Sequence, residues 1–301
     1  MIRALAFVLA VGLAASIGCR APERPDPALD PHRTLAEVVA LLVAHRDADV
    51  YRFDPPTDVT GENVFRTTLA RLGRYAERLD DPEFRPAIRF AEAQARERLL
   101  DFEGAAAAYE EVARGGSDLA AEAGRLGVLP RALASVLRPI APNARPDEVL
   151  IGLGERRAAL RSRLASTPPE ERRRCLVEAA VERLDVRERE FLWRLRVLSP
   201  QGTQVALEAA EQLVADHPES RRLLAHTLRV ADMVAELARA YVASVDPAGF
   251  DFDAAYARNL IQRAAQVYGE VAAIDGRPER EEARAQLLAL EALTARIRGA
   301  R

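Results

Sequence analysis

From Thr34 onward, apolar residues recur at intervals of three and four, the period of an α-helix that turns one face inward. Thr34 and Glu37 have capping-box spacing, and Leu35, Val38, Val39 and Leu42 share a face behind them. Pro55 and Pro56 end that region. A second stripe runs through Phe65, Leu69, Leu72, Ala76 and Leu79, and a third through Phe84, Ile88, Ala91, Ala95 and Leu99 after the Asp81–Pro82 turn. In the middle, Pro130, Pro139, Pro142 and Pro146 predict short helical pieces. Thr167 and Glu170 form another capping box with Pro168 in its first turn, and Phe191, Leu192, Leu195 and Leu198 then fall on one side. Longer helices are predicted over roughly residues 220–244, 253–274 and 280–298. No run of period-two alternation is long enough for a strand. The expected fold is all-α, with antiparallel helix pairs in an irregular superhelix or bundle. Its regions are 34–126 (helical repeats), 127–200 (an irregular middle) and 201–301 (helical repeats).

The most specific internal pattern is LLDFEGAAAAYEEVARGG, residues 99–116. After the Asp101–Phe102 turn, Ala105, Tyr109 and Val112 lie on one helical face. There a small residue permits close helix crossing and a large one fills the adjacent groove. Ala206, Ala210 and Leu213 repeat the arrangement before a turn at Asp216–Ser220, and Ala264, Tyr268 and Val271 repeat it before Ile274–Arg280. Phe102, Ala105, Tyr109, Val112, Ala206, Ala210, Leu213, Ala264, Tyr268 and Val271 are therefore the candidate repeat-packing residues. The spacing from Ala105 to Ala206 is near three units of 34 residues, whereas Ala206 to Ala264 fits no multiple, so the repeats are expected to be irregular.

The N-terminus breaks the amphipathic pattern. Arg3 and the initial amine precede an uncharged apolar run from Ala4 to Gly18. Fifteen helical residues span about 22 Å, short of the ~30 Å hydrocarbon core, which points to an export signal over residues 1–18 and away from a membrane span. Gly18 stands before Cys19, and Arg20–His32 carries Pro22, Pro25, Pro27 and Pro31. Such a run favours extended polyproline geometry, so residues 19–33 read as a tether reaching about 40 Å.

Ala15, Ser16, Ile17, Gly18 and Cys19 together resemble a bacterial lipobox, with Ser16 where Leu is commonest. The resemblance implies a diacylglycerol on the Cys19 thiol and cleavage on its N-terminal side. Arg20 after the cysteine implies the outer rather than the inner membrane. With the helical repeats, the whole is similar to bacterial tetratricopeptide-repeat lipoproteins. The accessory proteins of outer-membrane barrel assembly and of the Tol–Pal system are nearest in style.

Composition narrows the chemistry. All 43 basic residues are Arg, which removes a P-loop lysine, Schiff-base chemistry and serine–lysine pairs. The net charge is −3, or −4 once Arg3 is removed with residues 1–18, and implies no general attraction to nucleic acid. With Cys19 lipidated, Cys175 has no disulfide partner and reads as a buried small apolar side chain, the alternative being a reactive thiol. His32, His45, His217 and His226 show no metal-ligand spacing, so no metal or cofactor is expected. Asp251 and Asp253 read as helix N-caps, and the pairs Asp80–Asp81 and Glu110–Glu111 as solvated charges. The Arg-rich stretch from Arg145 to Arg174 reads as a solvated face, or as a weak patch for anionic envelope material or an acidic partner. Trp193 is expected in the core. These observations favour a non-enzymatic, membrane-tethered scaffold that binds a protein or peptide in the cell envelope. The alternatives are a structural accessory subunit of an envelope complex and, more remotely, an envelope hydrolase with dispersed carboxylates.

Overall fold

The computed structural model describes residues 31–46, 60–78, 82–141, 143–169, 171 and 173–299. The expected signal segment, Cys19, most of the expected tether, the Pro55–Pro56 break, Leu79, the Asp80–Asp81 pair, Pro142 and Glu170 lie outside them. Among the described residues the protein is all-α, without strands. The helices are α1 (Pro31–Arg46), α2 (Glu62–Arg78), α3 (Arg85–Arg98), α4 (Phe102–Arg114), α5 (Ala120–Leu126) and α6 (Val128–Val136). They continue as α7 (Pro146–Ser166), α8 (Arg174–Leu195), α9 (Gly202–Asp216), α10 (Leu223–Ser244), α11 (Ala254–Ala272) and α12 (Pro278–Gly299). A 3₁₀ turn, Arg196–Leu198, joins α8 to α9.

Most helices pack chiefly on their neighbours in sequence; α6 packs chiefly on α4, and α1 on α3 and α10 on α12 make further contacts. Short connections between such helices force antiparallel pairing. In the α7–α8 pair, Arg157 meets Asp185 at 2.5 Å while Arg174 reaches back to the Leu164 carbonyl at 3.0 Å. The stack follows from the small-and-large pattern. Ala105, Ala206, Ala210 and Ala264 are fully buried, and Phe102, Tyr109, Val112, Leu213, Tyr268 and Val271 fill the space beside them. Local chemistry sets the helix ends. The Asp101 side chain caps α4 by accepting from the Gly104 N–H at 3.0 Å, and it also accepts from Arg96 at 2.6 Å. A Cβ on Gly104 would come within 2.6 Å of that same Arg96 nitrogen, so a larger residue there would have to displace the Arg96 side chain. Asp253 caps α11 through the N–H groups of Ala255 and Tyr256, whereas Asp251 sits exposed in the preceding turn and caps nothing.

Several expectations need correction. α1 starts at Pro31, three residues before the expected cap at Thr34, because proline's fixed φ suits the first helical turn and the helix recruits the end of the tether. Thr167 does not open a helix. It closes α7, donating its hydroxyl to the Arg163 carbonyl at 2.8 Å, and α8 begins only at Arg174. The middle is divided only in part: Pro130 is accommodated in the first turn of the nine-residue α6, the chain leaves helix around Pro139, and Pro146 opens the long helix α7. The helix expected from Ser220 starts at Leu223, since Ser220 belongs to the turn before it. Trp193 is buried and donates its ring N–H to Glu236 at 3.0 Å.

Candidate functional site

The first half of the chain docks on α8 through the α3–α4 turn. Leu100 takes a left-handed φ of 58° there, which aims its carbonyl at α8, where it accepts from Arg183 at 2.7 Å. Arg173 pairs with Glu97, and Phe102 joins Leu133, Leu176, Val181 and Leu184 in one core cluster. The α9–α10 turn crosses α8 from the other side. Glu182 accepts from the Ser220 hydroxyl at 2.8 Å and holds the His226 imidazole at 2.6 Å, and Asp185 holds His217 at 2.9 Å. Arg222 of the turn pairs with Glu62 at the start of α2.

These three attachments leave a cleft of about 720 Å³ over α8, within the usual range for ligand sites. Phe65, Leu100, Leu164, Leu176, Ala179 and Val186 supply its apolar wall, and Arg98, Arg183 and Cys175 face it at the α3–α4 end. Cys175 is half-buried and not sealed in the core, and its sulfur lies 3.3 Å from an Arg98 nitrogen.

The electrostatics are set by pairing. Burial alone would raise the Glu182 carboxyl, but the hydrogen bonds from His226 and Ser220 bring it below its ordinary value. The bond to Asp185 raises His217, against the opposing effect of burial. Ser220 and His226 bind the same carboxylate oxygen, so the Ser220 hydroxyl meets the Glu182 carboxylate directly and the imidazole does not stand between them. A Ser–His–acid triad has the imidazole between hydroxyl and acid, an order this network does not have. The network instead ties the turn to α8. No group of three His, Cys, Asp or Glu side chains among the described residues could hold a metal ion. His45 and His32 lie in α1, and the structure describes neither side chain.

The Arg145–Arg174 stretch is largely consumed in internal pairs. Arg145 meets Glu148, Arg157 meets Asp185 and Glu188, Arg161 meets Asp216, and Arg173 meets Glu97. Arg174 meets Glu178 and also caps the end of α7. Glu110 and Glu111 are likewise paired, with Arg131 and Arg89. The repeat-packing residues lie in the core beside this site and do not line it. Residue order in the sequence did not single out the cleft, because its walls come from five separated segments. The sole advance sign was that His217 and Ser220 share a polar turn between two strongly apolar helices.

No protein-family model matches the chain, and no curated protein matches it.

Proposed function

We propose that this protein is a non-catalytic, lipid-anchored scaffold of the bacterial cell envelope that holds a protein or peptide partner in the α8 cleft. The observation that carries the reading is the cleft itself: an open, partly apolar recess in which the carboxylates of Glu62, Glu178, Glu182 and Asp216 are engaged in structural pairs. A stack of helices each resting on its neighbours gives a fixed, extended surface, which suits positioning. The tether and Cys19 supply the attachment, and no described helix is long and apolar enough to cross a membrane. The resemblance to tetratricopeptide-repeat lipoproteins rests on the lipobox and on the Ala105, Ala206 and Ala264 segments.

The test is affinity purification of the full lipoprotein from gently solubilised envelopes, with identification of what accompanies it. A defined partner retained in several detergents is expected, and recovery of nothing in any of them would contradict the scaffold.

One observation favours a second reading, a subunit packed laterally in an envelope complex. Val197 and Leu198 are 77% and 71% exposed in the turn after α8, and Val205 on α9 is exposed near them. Val197→Asp with Leu198→Asp would dissociate such a complex and leave a cleft-bound partner in place.

A further inference from the structure

Four guanidinium groups beside and inside the cleft form a strip whose hydrogen bonds go to neutral acceptors. Arg98 donates to Cys175 Sγ, Arg183 to the Leu100 carbonyl, Arg187 to the Leu137 carbonyl at 3.0 Å, and Arg156 to the Arg138 carbonyl. None of the four is ion-paired with a described carboxylate. Most acids near them have their ion pairs elsewhere: Glu97 with Arg173, although Arg98 also acts on it, Glu178 with Arg174, Glu182 with His226, and Asp185 and Glu188 with Arg157; the exposed Glu219 lies across the cleft in the α9–α10 turn. The carbonyls they meet lie at the ends of α3 and α6, where the helix dipoles offset roughly one unit of charge between them. Burial, and then the charges of Arg183 and Arg156, push Arg187 below its ordinary value. Positive charge is thus concentrated along one side of α8 in a chain whose net charge is −3.

We propose that this strip binds an extended acidic segment of the partner protein, with its carboxylates on Arg98, Arg183, Arg187 and Arg156. The inference rests on the reading of the protein as a partner-binding scaffold and names the chemistry of the partner. Spacing supports it: Arg183 and Arg187 are one helical turn apart, about 6 Å along α8, and alternate side chains of an extended peptide lie about 6.8 Å apart on one face. Guanidinium forks match carboxylates, and each group here has donors left after its single neutral contact. Glu178 and Glu182 border the strip at the cleft, so a dense polyanion would meet repulsion that a thin chain of spaced carboxylates avoids.

The probe is a fluorescent eight-residue peptide of Glu alternating with Thr, measured by anisotropy against the same peptide with Gln for Glu, on the full mature chain. At about 50 mM salt the Glu peptide is expected to bind at least about tenfold more tightly, with affinity falling as salt rises. Arg183→Gln with Arg187→Gln should remove at least about tenfold of that affinity, and Arg183→Lys with Arg187→Lys should lose measurably less than the Gln pair, since charge is retained while the fork is not. The Glu peptide should also slow maleimide reaction at Cys175, a readout on the wild-type protein that stands even if the Gln variant does not fold. Equal binding of both peptides, no protection of Cys175, or equally tight binding of a ten-nucleotide single strand would each overturn the assignment. A partner that copurifies equally with wild type and the Gln variant would remove this surface and leave the scaffold intact.

Discussion

Tyr268 offers a direct measure of how the C-terminal helices are fastened. It is wholly buried on α11, and its hydroxyl donates to Asp232 Oδ1 of α10 at 2.6 Å. Burial and the nearby Asp232 carboxylate raise the phenol above its ordinary value, so it remains a neutral donor across the working pH range. Tyr268→Phe keeps the ring and its packing but deprives the carboxylate of its donor. Hydrogen bonds to charged groups contribute about 1.5–3 kcal/mol, and little cavity is created, so the loss should fall in that interval. At about 2–4 °C per kcal/mol for a chain of this order, the melting midpoint should drop by about 3–12 °C. The assay is urea unfolding followed by circular dichroism at constant pH, with the slope unchanged, because the surface exposed on unfolding is the same. Tyr256→Phe is the control: that ring is half-exposed beside Tyr241, and the change should stay within about 0.5 kcal/mol. A Tyr268→Phe loss no larger than that of the control would refute the pairing of α10 with α11 described above.

Other variants probe separate links. Ala105→Leu inserts a large side chain at a fully buried crossing and should cost about 1–3 kcal/mol or more, read from the same urea titration; a neutral effect would mean the helices do not nest there. Glu97 is raised from 4.5 to about 7, chiefly by burial and against the pull of Arg173. A carboxyl raised on folding contributes stability that is complete below about pH 4.5 and lost as pH rises through about 7, here about 3 kcal/mol at ~1.36 kcal/mol per pH unit. Glu97→Gln should flatten the stability profile between those pH values, and an unchanged profile would show that Arg173 holds the carboxylate charged. Cys19→Ala should move the protein from the membrane fraction to the soluble one on fractionation; continued tight membrane association would contradict lipid anchoring.

The sequence foreshadowed the fold more fully than the site, and the reason is physical. Helical period is local: Ala264, Tyr268 and Val271 lie within two turns of one helix, so their common burial could be read from spacing alone. Helix ends were less legible, because competing caps are close together. Thr167 serves the end of α7 instead of the start of α8, and Pro31 opens α1 ahead of Thr34. The cleft depends on contacts between distant segments. The pairing of His226 with Glu182 spans 44 positions and that of Arg222 with Glu62 spans 160, and nothing in local patterning encodes either. The Arg-rich stretch was visible as composition, yet most of its charge is neutralised internally, while Arg98, Arg183 and Arg187, unremarkable in sequence, hold the charge that is not.

The decisive measurement places a photo-crosslinking residue at Ala179, which is partly exposed on the wall of the α8 cleft, in the full-length protein inside intact cells. Illumination should yield one discrete crosslinked protein, and combining the probe with Arg183→Gln and Arg187→Gln should abolish the adduct while the protein stays folded. If illumination yields no adduct at Ala179, or an adduct indifferent to those arginines, the cleft does not hold an acidic partner.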